Sequence, residues 1–118
     1  MVLFASEEFY MDLELTPVIA DFFSAEDRRD TEALCQCFAE GAVVHDEGRS
    51  IQGHAAIREW QLETKKKYQH TTKPLSSADR DGKSVVTARL TGNFPGSPVD
   101  LQFAFTVGAG KIMSLEIK

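Results

Sequence analysis

The sequence predicts an α+β domain, with helices first and a mostly antiparallel sheet after them. Two observations carry that reading. Apolar residues recur at three- and four-residue spacing through the first half, and strict two-residue alternation dominates the second. A third, the length of 118 residues, fits one domain with a core sufficient to fold without disulfides or metal.

Residues 1–14 are acidic and weakly patterned, a loosely ordered lead-in to a domain over 15–118. From Pro17, suited to a first helical turn, Val18, Ile19, Phe22 and Phe23 define one apolar helix face. Asp30 is the expected N-cap of a second helix carrying Ala33, Leu34, Cys37 and Phe38 inward, with Gly41 ending it. Ala42 to Asp46 reads as a strand, Glu47 to Ser50 as a turn, and Ile51 to Gly53 as a returning strand. A third helix starts near His54, with Ile57, Trp60 and Tyr68 inward; Arg58, Glu59, Glu63 and the lysines form its solvated side.

Pro74 introduces extended structure, with a strand over Leu75 to Ala78 and a hairpin turn at Asp79-Arg80-Asp81-Gly82. Val85, Thr87, Arg89 and Thr91 alternate with Val86, Ala88, Leu90 and Gly92. A longer connection, 93–98, precedes the strongest alternation, Leu101, Phe103, Phe105 and Val107. After the turn Gly108-Ala109-Gly110, Met113, Leu115 and Ile117 are expected to share one face of the last strand.

Thirteen basic against eighteen acidic residues leave a net charge of −5 with no basic stripe, which argues against nucleic-acid binding. No stretch approaches the roughly 20 apolar residues of a membrane span. The Met1-Val2-Leu3-Phe4-Ala5 start has no positive leader, so the expected address is cytoplasmic. Cys35 and Cys37 read as buried small residues, not a redox pair. His45, Asp46, His54 and His70 show no compact metal-ligand spacing. No phosphate loop or nucleophile elbow is present, and no metal or cofactor is expected.

The stretches Phe38-Ala39-Glu40-Gly41-Ala42-Val43-Val44-His45-Asp46 and Gln52-Gly53-His54-Ala55-Ala56-Ile57-Arg58-Glu59-Trp60 resemble two junctions of nuclear transport factor 2-like, SnoaL-like domains. They are similar to the helix-to-strand junction and the third-helix entry, and the order of elements agrees over roughly residues 15–118. The resemblance implies three helices packed into a strongly curved sheet, a cone with an internal pocket. It also implies a choice of roles that fold alone cannot make, among isomerases, dehydratases, cyclases and binding modules.

Within that resemblance, the general-base aspartate of the ketosteroid isomerase branch falls on Asp46, eight residues after Phe38. The branch's oxyanion tyrosine falls on Phe22 and its partner acid at or beside Phe103, so the oxyanion-stabilising pair is missing. The SnoaL-like cyclases imply a carboxylate helped by histidine, a set that His45, His54 and Asp46 could supply, although no late-strand aspartate completes it. The bland alternative for Asp46 is turn stabilisation, and for His54 the filling of a helix entry. Neighbouring strand residues point to opposite faces, so with Asp46 inward His45 faces out. His70 reads as a helix C-terminal residue satisfying the macrodipole.

The expected pocket brings helix residues Val18, Ile19, Phe22, Ile57 and Trp60, with Phe38, against Val44, Leu90, Phe103 and Phe105. Asp46 stands at its polar end. Two functions follow as expectations. One is a cofactor-free isomerase, dehydratase or cyclase acting on a small apolar carbonyl compound with Asp46 as acid/base. The other is a non-catalytic module binding an apolar ligand or a protein. Arg89 is expected on the outer sheet face beside Asp100. The outer positions Gln102, Ala104, Thr106, Ser114 and Glu116 suit a homodimer contact.

Overall fold

Pro17 occupies the first turn of helix α1 (Pro17–Arg28), and Val18, Ile19, Phe22 and Phe23 are all buried along its inner face. The computed structural model describes residues 15–118; the lead-in expected over 1–14 lies outside the described residues. Asp30 caps α2 (Thr31–Gln36), its Oδ1 accepting from the Ala33 amide at 3.1 Å. The expected helix end at Gly41 does not hold. Helix α2 stops at Gln36, and Gly41 lies inside strand β1 (Phe38–Asp46). The Cys37 carbonyl accepts from the Ile112 amide at 2.8 Å and Phe38 pairs with Ile112, so sheet pairing captures the chain before another helical turn forms.

Strand β2 (Arg49–Gln52) returns beside β1 after a turn in which Glu47 and Gly48 both have positive φ. Helix α3 (His54–Tyr68) follows, ended by Gln69 in the left-handed conformation. Strand β3 (Thr71–Arg80) is longer than the expected 75–78 and runs through Pro74. It is an edge strand, where proline's missing donor costs least, and an extra residue at Leu75 shifts its register. Strands β4 (Lys83–Thr91), β5 (Val99–Gly108) and β6 (Lys111–Ile117) complete the sheet. Like Glu47-Gly48, the tight turns at Asp81-Gly82 and Ala109-Gly110 have positive φ at both central residues, as the twist of a two-residue hairpin requires.

Among the described residues the sheet is six-stranded, in the order β2-β1-β6-β5-β4-β3, curved and open, with β1 and β6 the one parallel pair. Among the described residues this is the α+β arrangement that the order of patterns predicts. Helix α1 packs against β3 and β6, α3 against β1 and β2, and α2 joins the two longer helices. Five phenylalanines hold the layers together: Phe22 meets Phe23 at 5.1 Å and Phe105 at 5.3 Å edge to face, with Phe38 and Phe103 closing the group. Such pairs add about 0.5–1.5 kcal/mol each beyond area burial.

One face assignment changes. Met113 is 46% exposed and Ile112 is fully buried, against the expectation that Met113 shares a face with Leu115 and Ile117. Thr106 pairs with Ser114 but Val107 with Ile112, so Met113 is an extra residue that flips the alternation. On the outer face Arg89 and Asp100 form a two-pronged ion pair at 2.8 and 3.1 Å. Cys35 and Cys37 are free thiols, both buried; burial pushes Cys37 up to about 11.

Candidate functional site

The curved sheet and the helices leave a cavity of about 310 Å³. Its apolar wall comes from Trp60 on α3, Leu90 on β4, Val99, Leu101 and Phe103 on β5 and Ile117 on β6, with Phe94 and Pro95 from the β4–β5 connection. Polar groups enter from other directions: Glu26 from α1, Asp46 and Glu47 from the end of β1, Gln61, Thr64 and Tyr68 from α3, and His70 and Thr72 from the start of β3.

The wall differs from the expected one. Trp60, Leu90 and Phe103 line the cavity, but Val18, Ile19, Phe22, Phe38, Val44, Ile57 and Phe105 pack in the closed core behind it. The reason is the aromatic cluster: five interlocking rings fill the space between α1 and the middle of the sheet. The unfilled volume is displaced towards α3 and the strand ends. His54 does not reach the cavity either. Its Nε2–H donates to the Phe38 carbonyl at 2.8 Å, which fastens the start of α3 to β1. His45 is exposed and bonds the Ser50 hydroxyl at 3.1 Å.

Asp46 lies at the last position of β1, on the same face as Phe38, Ala42 and Val44, and meets the cavity there. Trp60 sits one helical turn beyond Ile57 on the inner stripe of α3, and its indole Nε1–H donates to Asp46 Oδ2 at 2.9 Å. Burial pushes the Asp46 carboxyl above its ordinary value; the Trp60 bond opposes that rise and the Glu47 charge adds to it. Near it the Tyr68 hydroxyl reaches Glu47 at 3.3 Å, linking the end of α3 to the β1–β2 turn.

The cavity holds a second polar group that the sequence reading missed. Glu26 is buried, and three donors converge on its Oε1: Lys65 Nζ at 2.5 Å, His70 Nε2 at 3.1 Å and Thr72 Oγ1 at 3.4 Å. Lys65 also donates to the His70 carbonyl at 2.9 Å. Burial by itself pushes Glu26 up, but the His70 bond and the Lys65 charge outweigh it and hold the carboxyl below its ordinary value. Two expectations are corrected here. Lys65 is buried, not on the solvated side of α3, and His70 is a buried partner of Glu26, not a helix-end residue facing water. A signal for both was present in spacing: Glu26 continues the stripe of Ile19, Phe22 and Phe23, and Gln61 and Lys65 follow Ile57 at four-residue steps.

Gly92 makes this arrangement possible. A Cβ there would lie 2.7 Å from the Tyr68 carbonyl and 2.9 Å from His70, so only glycine lets β4 approach the α3–β3 junction this closely. Among the described residues no group of three His, Cys, Asp or Glu side chains gathers as a metal site, and no helix is long and apolar enough to cross a membrane.

The SnoaL-like domain family model matches residues 19–115. Among solved structures, a candidate polyketide cyclase from Sinorhizobium meliloti is 41% identical; the match covers 89% of this chain and 96% of that one, with a TM-score of 0.86. Two others share the fold at 18% identity. One is a hypothetical protein with a ketosteroid isomerase-like fold from Catenulispora acidiphila in complex with trimethylamine, with TM-score 0.73 and 88% and 86% covered. The other is TerC co-crystallised with polyporic acid, with TM-score 0.74 and 86% and 88% covered. No curated protein matches the chain. The family pattern runs from α1 into β6 and the 41% identical structure superposes along the same elements, so this chain belongs to the SnoaL-like domain family, within the nuclear transport factor 2-like superfamily.

Proposed function

We propose that the chain binds a small, mostly apolar carbonyl compound in this cavity and moves a proton on it, as an isomerase, dehydratase or cyclase does, with Asp46 as general acid/base. The observation that carries this reading is the placement of Asp46. It is a carboxylate at the edge of an apolar cavity, held in one orientation by Trp60 Nε1–H at 2.9 Å, with burial raising its affinity for a proton. A carboxyl whose proton affinity is raised above the ordinary value gives its proton up less readily and takes one back more readily, as a group that shuttles a proton beside a carbonyl must. The small ligands bound by TerC and by the Catenulispora protein, and the cyclase assignment of the Sinorhizobium relative, support a small-molecule role. The cavity volume, near the lower end for small-molecule sites, favours a compact substrate.

A panel of small cyclic ketones and enones tests the reading. Turnover that Asp46→Asn abolishes supports it; equal rates in wild type and variant remove Asp46 from the chemistry. A second reading, ligand binding without chemistry, draws on Phe22. It is fully buried among aromatic rings and supplies no hydroxyl where an oxyanion donor would stand. A ligand retained in native mass spectra, with no turnover of the panel, favours that alternative.

The proposal includes a homodimer through the outer sheet face. Gln102, Ala104, Thr106, Ser114 and Glu116 lie there on adjacent strands, small or mixed in polarity and opposite the core-facing Phe103, Phe105 and Leu115.

A further inference from the structure

Five polar or charged side chains are buried among the described residues: Glu26, Gln61, Lys65, His70 and Thr72. They are not scattered. Four line the cavity, and the fifth, Lys65, is bonded both to Glu26 and to the His70 carbonyl. Packing alone gives no reason for this concentration, because buried ion clusters are commonly replaceable by apolar side chains of similar volume without loss of stability.

His70 supplies the reason. It is 7% exposed, and its Nε2 faces Glu26 Oε1 at 3.1 Å. A carboxylate only accepts, so a ring hydrogen is on Nε2, and in the neutral ring Nδ1 then presents a lone pair. Lys65 already balances the Glu26 charge, so Glu26 does not need a charged ring as its counter-ion. Nδ1 is the only buried side-chain nitrogen or oxygen among the described residues without a hydrogen-bond partner. A buried acceptor left unpaired beside a cavity is a group waiting for a donor.

We propose that Glu26, Lys65 and His70 form a second polar pole of the cavity, separate from Asp46, at which His70 Nδ1 accepts a hydrogen bond from a hydroxyl group of the ligand. Glu26 and Lys65 are positioning residues: they set the tautomer and orientation of the ring. The ligand class is thereby narrowed to a mostly apolar ring compound carrying an alcohol, enol or phenol hydroxyl. This inference rests on the cavity being a ligand site, but not on Asp46 chemistry.

The probes are 2-naphthol and 2-methylnaphthalene, which differ by a hydroxyl against a methyl of similar size. The three histidines are ¹⁵N-labelled, and both ring nitrogens are followed in the full chain, with the Trp60 indole N–H reporting occupancy of the cavity. The expected result is that 2-naphthol moves the Trp60 and His70 Nδ1 signals together while His70 Nε2 stays protonated, and that 2-methylnaphthalene moves Trp60 alone. The wild type should prefer 2-naphthol by roughly 2- to 10-fold, the worth of one neutral hydrogen bond, and His70→Phe should lose that preference. The wild-type titration decides the matter even if His70→Phe does not fold. A Trp60 response with His70 Nδ1 unmoved overturns the second pole and leaves the cavity reading intact. No Trp60 response to either probe at millimolar concentration overturns both.

Discussion

The Trp60 indole N–H donates to Asp46 Oδ2 at 2.9 Å, so the one tryptophan of the chain holds the carboxylate at the edge of the cavity. The bond favours the ionised form, against the burial that disfavours it. Trp60→Phe removes the donor and leaves burial less opposed. The Asp46 carboxyl should therefore titrate still further above its ordinary value than in the wild type, as read by ¹³C NMR of the side-chain carboxyl. An unchanged or lowered value would show that the bond does not control the group.

Asp46→Asn should reduce turnover of any substrate found by about 10²–10⁴-fold, the usual share of a general acid/base. It should also stabilise the fold near neutrality. The native carboxyl binds its proton more tightly than the unfolded chain does, so native stability falls as pH rises from the ordinary value of 3.8 through the raised one. The gain from asparagine should therefore be present at pH 7 and absent at pH 3, in melting curves run at both.

Glu26 has the opposite sign. Its native carboxyl is held low, so its contribution is complete above the ordinary value of 4.5 and is lost as pH falls through the native value. Glu26→Gln should flatten the acid limb of the stability curve below pH 4.5. At pH 7 it leaves Lys65 buried without its counter-charge, a loss of about 3–5 kcal/mol in urea unfolding. A loss below 1 kcal/mol would mean that Lys65 swings out to water.

Gly92→Ala should destabilise by about 1–3 kcal/mol, because the new methyl meets backbone at the α3–β3 junction that cannot retreat as a side chain would. The His70–Glu26 contact should loosen with it, visible as a shifted His70 Nε2 signal. Wild-type stability in the variant would show that the junction is more compliant than its packing indicates.

Sedimentation at micromolar concentration should show a species of two 13.1 kDa chains. Ala104→Arg on the outer sheet face should return it to one chain. A wild type that sediments only as a single chain removes the dimer.

How much of this was legible beforehand depends on the range of the forces involved. The period of apolar residues is a local property, and it located α1, α3 and the β4–β5–β6 run within a few residues. That only one of His45 and Asp46 faces inward followed from strand alternation; the family resemblance pointed to Asp46, and which of the two it is was decided by the packed sheet. Met113 escaped because a bulge is decided by which partner residue pairs across the sheet. Gly41 escaped because Ile112, over seventy residues away, captures the chain at Cys37.

The amino-acid sequence alone determined the α+β class, the order of the elements and the buried aromatic residues, because periodicity and turn chemistry act between near neighbours; the candidate carboxylate came from the family resemblance. The position of the cavity and the pairing of Glu26 with Lys65 and His70 were decided only in the tertiary structure. Charged side chains at stripe positions read as solvent-facing until a counter-charge is supplied from another element. That counter-charge, Lys65, is 39 residues along the chain (65 − 26), and it exists only once α1 and α3 have packed.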